Sequence, residues 1–318
     1  MPSLPDYLEP LSHGVYAIDT GFHRPRFDAC YLIVENGRAA FVDTGTNPAL
    51  PRLLGALEAL GLAREAVDWI IPTHVHLDHA GGTGALLREL PNATVRIHPR
   101  GLRHLVDPRA LIASATRVYG PQEMARSYGT IVRVPADRVR ETADEERIDL
   151  AGRPLHVLHT PGHARHHHCV WDERTRGFFT GDTFGLSYRE FDTARGAWIL
   201  PTSTPIHFDP PALRASVERL LAADPACMYL THYGRVGDVP RLGVLLLEQL
   251  DAMVALARRV QHAPDRHAAL VQGLEAIYLE RLAQHGCALP VDQVRALLAL
   301  DVELNAQGIG IWLDREGR

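Results

Sequence analysis

Thr73-His-Val-His-Leu-Asp-His-Ala-Gly-Gly82 places three imidazoles and one carboxylate within the six residues from His74 to His79. In extended backbone, His74 and His76 point to the same side. Where the chain then turns toward a helix, Asp78 and His79 face a second point in space. That donor set suits two adjacent metal ions. Neutral imidazole with carboxylate fits zinc, iron or manganese better than a soft metal. The competing reading is a polar loop of inert, hydrogen-bonded histidines. A lone His would favour it, but four donors directly after an apolar strand favour metal.

The same segment resembles the HxHxDH signature of the metallo-β-lactamase-fold hydrolase superfamily. Other landmarks of that family stand in order: Asp43 in Val42-Asp-Thr-Gly45, then Thr160-Pro-Gly-His163, Gly181-Asp182-Thr183 and Thr231-His232-Tyr233-Gly234. The resemblance covers roughly residues 12 to 238. It implies an α/β fold, a four-layer αββα sandwich with the site at one edge of its two sheets. It implies two divalent ions per chain, zinc expected, with iron or manganese as alternatives. His74, His76 and His163 would hold one ion, and Asp78, His79 and His232 the other. Asp182 would bridge both, and Asp43 would fix ligand orientation from behind. Two such ions share a water and lower its pKa toward neutrality. The resulting hydroxide attacks a carbonyl or phosphoryl centre while the ions stabilise the developing charge. Asp78 and Asp182 are thus expected to be catalytic as well as ligating, Asp78 by accepting a hydrogen bond from the nucleophile.

The remaining candidates carry weaker signals. His159, His166, His167 and His168 crowd the third landmark, and supporting or packing roles suit them better than ligation, because both ions are already supplied. Among them His167, four after His163, is the expected supporting residue. Tyr188 and Arg189 follow Asp182 closely and are expected to touch substrate, Tyr188 as an oxyanion donor. The plain alternative is a packed aromatic and a solvated Arg. Phe184, Trp198 and Phe208 line a pocket or pack a lid. The four cysteines are far apart, with no CxxC pair and none at a ligand position. They read as isolated thiols.

These residues need elements to hold them. Gly14–Ile18, Ala29–Val34 and Arg38–Val42 read as strands, the last two joined at Asn36-Gly37, a hairpin signal. Pro48–Leu60 has helical spacing, with Asn47 as its expected N-cap. Strand Asp68–Ile71, helix Gly84–Leu90 and strand Ala93–His98 continue an alternating β/α pattern. Residues 100–130 read as helical. Leu155–His159, Cys169–Trp171, Gly177–Thr180 and Cys227–Leu230 read as strands, and Pro211–Leu221 as a helix. The long stretch 183–210 is expected to be a lid or binding loop. Three amphipathic patterns follow, at Leu242–Val260, Arg266–Ala283 and Val291–Asn305, with a strand expected at Ile309–Trp312. The domains expected are therefore residues 1–240, catalytic, and 241–318, a helical extension that caps the site or forms a homodimer.

Composition bounds the function. The 318 residues carry a net charge of -5, 46% apolar residues and 18 histidines, and every basic side chain other than His is Arg. An acidic chain lacks the footprint of a nucleic-acid binder. The N-terminus shows no signal-peptide pattern and no run approaches a membrane span, so a cytoplasmic location and no membrane partner are expected. True zinc β-lactamases commonly lack the bridging Asp and the full signature, which argues against lactam antibiotics. The complete set is more similar to glyoxalase II-type thioesterases and quorum-lactone hydrolases, although no glutathione-binding basic motif is evident. The expected activity is hydrolysis of a small ester, thioester or lactone through a metal-bridging hydroxide. A di-iron redox or oxygen-binding protein is one alternative. A phosphodiesterase or nuclease is another, with the acidic charge weighing against it.

Overall fold

The structure, a computed structural model, describes residues 4–203 and 206–317. Met1–Ser3 of the N-terminal reading and residues 204 and 205 of the expected lid lie outside it. Two compact units divide the chain. One takes residues through His159, with His166–Gly181 and Ala226–Arg235; the other takes Thr160–Arg165, Asp182–Pro225 and the chain from Val236 onward.

The first unit holds two sheets. One runs in order through β1 (Leu8–Pro10), β2 (Val15–Asp19), β3 (Ala29–Glu35), β4 (Arg38–Val42), β5 (Val67–Ile71), β6 (Thr94–Ile97) and β7 (Val139–Glu141). β3 and β4 form the expected hairpin, with Glu35 opposite Arg38. Asn36 and Gly37 both take positive φ, 47° and 76°, as a two-residue turn of this hand requires. From β4 onward the pairing is parallel. The crossovers are α1 (Leu50–Ala59), then α2 (Leu77–Ala80) with α3 (Thr83–Glu89), then α4 (Pro99–Val106), α5 (Arg109–Tyr119) and the short α6 (Pro121–Glu123). Parallel strands need such crossovers. Leu53, Leu57, Leu86 and Leu105 from these helices pack with Leu32, Phe41 and Ile70 on one face of the sheet.

The second sheet runs β8 (Arg147–Leu150), β9 (Arg153–His159), β10 (His168–Asp172), β11 (Gly177–Gly181), β12 (Cys227–Leu230) and β13 (Gly234–Val236). Tyr31, Ile33, Ala40 and Val42 of the first sheet meet Val157, Val170, Phe179 and Tyr229 of the second in one buried cluster. This is the sheet-on-sheet core expected when both inner faces alternate apolar residues. Arg153 is buried within the unit, bonded to both Asp172 oxygens at 2.9 and 2.6 Å.

The other unit carries α7 (Pro210–Leu221), α8 (Val239–Val260), α9 (Arg266–His285) and α10 (Val291–Glu316). Asp209 and Asp265 cap α7 and α9, accepting from Ala212 N and Ala268 N. The stretch 182–203 belongs to this unit and is tied down within it. Leu186 bridges Leu200, Ser187 Oγ donates to Trp198 O at 2.5 Å, and Gln249 donates to Ile199 O. Phe184, Trp198 and Phe208 are buried, as packing residues are.

Three expectations are corrected. Ile309–Trp312 is not a strand: α10 runs through it, because Val302, Ile309 and Leu313 continue a buried helical stripe. Asn47 is not a cap: it enters a short 3-10 turn, and its amide reaches instead to Tyr128 O and Thr130 O at 3.3 and 2.5 Å. Among the described residues, α10 is long and apolar enough by composition to cross a membrane, contrary to the reading that no run is. Its apolar window is 56% buried inside the molecule, the pattern of a core helix.

Candidate metal centre

The expected ligands stand where strands end. β4 stops at Val42, and Asp43 then takes a left-handed conformation, φ 58°. Asp tolerates that region better than most side chains. β5 stops at Ile71, and two residues later the Thr73-His74 segment leads into the single turn of α2, which carries Asp78 and His79. β12 stops at Leu230, and Thr231-His232 follows.

Within the first unit these ends converge. One ligand atom each from Asp78, His79 and His232 lie within 4.8 Å of one another. His232 Nδ1 lies 2.9 Å from the Phe27 carbonyl, which can only accept, so Nδ1 carries a proton and, in the neutral ring, Nε2 the lone pair. His79 Nδ1 likewise lies 2.8 Å from the Asp43 carboxylate. Asp78 Oδ2 is 3.5 Å from His232 Nε2 and 3.8 Å from His79 Nε2. With both imidazoles neutral, three electron-pair donors face one another, an arrangement that a cation satisfies; a protonated imidazole would instead donate to Asp78. The donor types and the anchored second nitrogens are those of a metal site.

Asp43 organises more than His79. It accepts from Thr73 N at 2.7 Å, Thr73 Oγ1 at 2.9 Å and Thr231 Oγ1 at 2.9 Å. Since the Thr73 hydroxyl proton is given to Asp43, its oxygen accepts from His74 Nδ1 at 3.2 Å. His74 Nε2 then faces His76 Nδ1, 2.7 Å away. His167 stacks on the His74 ring at a centroid distance of 4.7 Å. Gly181, φ 46°, leaves room there, since a Cβ would come within 2.5 Å of Thr73 Oγ1 and 2.6 Å of His167 Nε2. Beside the group, Asp28 is fully buried and accepts from Thr20 Oγ1 at 2.8 Å. Burial pushes its carboxyl up to about 7, against the opposing pull of His232 and His79.

The second unit holds His163 and Asp182. His163 Nε2 lies 3.1 Å from Asp182 Oδ2, and His163 Nδ1 lies 3.2 Å from the Thr202 carbonyl. The same argument puts a proton on Nδ1, so that in the neutral ring Nε2 turns its lone pair toward the carboxylate. Gly162 and Pro161, just before it, are held by Asp209 N and Ser216 Oγ.

Tyr188 and Arg189 are placed differently from the substrate contact expected of them. Tyr188 is fully buried, its hydroxyl donating to both Asp301 oxygens at 3.1 Å. Arg189 folds back on Ser187 O at 2.7 Å and pairs with Asp192 at 3.4 Å. Sequence reasoning named Asp43 as an orienting residue but missed Thr73 and Thr231, which had a signal in each preceding an expected ligand His, and the Phe27 and Thr202 carbonyls, which had none.

The profile of the Metallo-beta-lactamase superfamily matches residues 23–232, more than half of the chain. Metallo-beta-lactamase fold-containing protein ST1585 of Sulfurisphaera tokodaii is 29% identical over 228 residues, 70% of this chain and 79% of that one. Its solved structure superposes with a TM-score of 0.61 at 26% identity, over 77% of this chain and 87% of that one. A hydroxyacylglutathione hydrolase of Aeromonas hydrophila is 29% identical over 65% of this chain and 63% of its own length. Type A flavoprotein fprA of Rhodobacter capsulatus is 27% identical over 59% of this chain, which spans only 40% of the flavoprotein. The matched span contains each landmark from Asp43 to His232, the two-sheet architecture agrees, and the chain belongs to the metallo-beta-lactamase superfamily.

Proposed function

We propose that this chain is a binuclear metal-dependent hydrolase of a small ester, thioester or lactone. The observation that carries the reading is the convergence of donors of the metal-binding kind: Asp78 with His79 and His232, and Asp182 with His163. His74, His76 and His163 are the proposed holders of one divalent ion, and Asp78, His79 and His232 of the other, with Asp182 shared. Bound divalent ions, zinc by preference, supply Lewis acidity and a nucleophilic water at neutral pH. The chain's own part is orientation. Phe27 O, Thr202 O, Asp43 and Thr73 fix a proton on Nδ1 of His232, His163, His79 and His74 respectively. Asp78, half-buried, is the carboxylate proposed to accept a hydrogen bond from the nucleophile.

Elemental mass spectrometry of the purified protein beside Asp182→Ala, followed by an acyl-ester, thioester and lactone panel, tests this. Two ions in the parent, fewer in the variant, and metal-dependent turnover support it. Zero or one ion in both after reconstitution, or no metal-dependent turnover across the panel, overturns it. A di-iron redox reading is the second, since the same imidazole and carboxylate donors suit iron and a flavoprotein is among the relatives. Iron in the purified protein with oxygen-dependent visible absorbance would favour that reading instead.

A further inference from the structure

The C-terminal helix reaches the proposed ligand set through one amide. Asn305, in the middle of α10, is 1% exposed. Its Oδ1 accepts from Ser203 N at 2.7 Å, and its Nδ2 donates to Pro201 O at 3.1 Å. One side chain thus clamps the peptide groups on both sides of Thr202. The second Nδ2 hydrogen goes to Tyr278 Oη at 2.9 Å. That pattern admits one orientation only, since a flipped amide would set its carbonyl against Pro201 O and its NH2 against Ser203 N–H. Ser203 Oγ adds a bond to the Asn305 carbonyl at 3.3 Å. The residue so held, Thr202, presents its carbonyl to His163 Nδ1 at 3.2 Å.

We propose that Asn305 is a positioning residue for His163: by fixing the Thr202 carbonyl it holds the His163 imidazole in the Nδ1–H tautomer and presents Nε2 on the Asp182 side as the metal-binding atom. This rests on reading His163 and Asp182 as ligands, and it gives α10 a task beyond packing. Residues that orient a metal-binding His are worth 10–100-fold in metal affinity. A plain packing role for Asn305 would cost stability and leave the imidazole unchanged.

Nitrogen-15 NMR of imidazole-labelled, metal-free protein reads the tautomer, with the His163 signals assigned from His163→Ala. Cobalt(II) titration with its visible absorption spectrum reads the site. Asn305→Ala and the isosteric Asn305→Asp, which cannot donate to Pro201 O, are compared with Tyr278→Phe, which removes the bond on the far side of the amide. The inference predicts a His163 Nδ1–H signal in the parent and in Tyr278→Phe, and its loss or averaging in the Asn305 variants. It also predicts cobalt affinity lowered 10–100-fold for one of two sites and an altered spectrum in those variants. An unchanged tautomer in both Asn305 variants overturns it, as does an unchanged cobalt spectrum when both melt no higher than Tyr278→Phe. Should the parent bind no cobalt, the hydrolase reading fails, while the tautomer comparison still decides the link from Asn305 to His163.

Discussion

The Asp43 carboxylate accepts from His79 Nδ1 at 2.8 Å, and the same carboxylate takes the Thr73 hydroxyl proton that leaves Thr73 Oγ1 to accept from His74. One buried acid thus sets the tautomer of two histidines, each proposed to serve a different ion. Its contact with Thr231 Oγ1 reaches the residue before a third, His232.

Replacing Asp43 by Asn therefore acts on both proposed sites. Asparagine keeps the shape but opposes its own NH2 either to Thr73 N or to His79 Nδ1, together with the hydroxyl donors on that side, and so releases one of the two. Metal affinity should fall 10–100-fold, the effect of losing such an outer partner. Competition with a chelator of known affinity measures it. Parent affinity for both ions in the variant would contradict the role assigned to this carboxylate.

Gly162 gives a steric test of the neighbouring ligand. Its φ of 135° is one that L side chains rarely adopt, and a Cβ there would collide with the Leu213 backbone in α7. Gly162→Ala should lower stability by about 1–3 kcal/mol or more, as strained backbone does. It should also lower bound metal toward one per chain by displacing His163. Calorimetry with metal analysis decides, and a parent-like melting temperature with two ions would refute the steric argument.

Legibility followed chain distance. The His74–His79 cluster is contiguous, so its chemistry could be read directly. β3, β4 and β5 are apolar runs set off by a hairpin turn or a preceding helix, which a period-two reading finds. β1, β7, β8 and β13 have three or four residues each, too few for a period to show. Asn47 has a cap's residue type, but its amide bonds chain some eighty residues on, and that competing partner is invisible locally. The aromatic-containing Ile309–Trp312 run suggested a strand until its burial was counted with the rest of α10. The carbonyls of Phe27 and Thr202 orient ligands with atoms every residue has, so no residue type could announce them. Tyr188 was legible only as near Asp182, because its partner Asp301 is 113 residues further on.

That pairing yields its own test. With Tyr188 buried and donating to Asp301, we expect its hydroxyl to serve the fold of the second unit rather than an oxyanion. Tyr188→Phe should cost about 1.5–3 kcal/mol, the usual range for a hydrogen bond to a charged group, and leave kcat and KM near the parent's. Denaturant unfolding and steady-state kinetics separate the two. A large loss of kcat at unchanged stability would restore the catalytic assignment.

Acid stability should depend on His168. It is fully buried at the start of β10, with Nδ1 3.0 Å from Thr142 Oγ1. Burial pushes its imidazole down to about 3, with nearby His98 and His159 acting in the same direction. Burial also pushes His98 down, to about 4. In the unfolded chain both titrate near 6.5. As pH falls from about 6.5 toward 3, the unfolded chain therefore binds protons that the folded chain refuses, and stability drops through that window. Below about 3, His168 adds no further dependence. His168→Asn, whose amide can still reach Thr142, should lessen the slope of unfolding free energy against pH by up to one proton, about 1.4 kcal/mol per pH unit. His98 should leave a residual slope. Urea unfolding of parent and variant between pH 4 and 7 measures the difference, and superimposable slopes would show that His168 does not remain neutral in the folded chain.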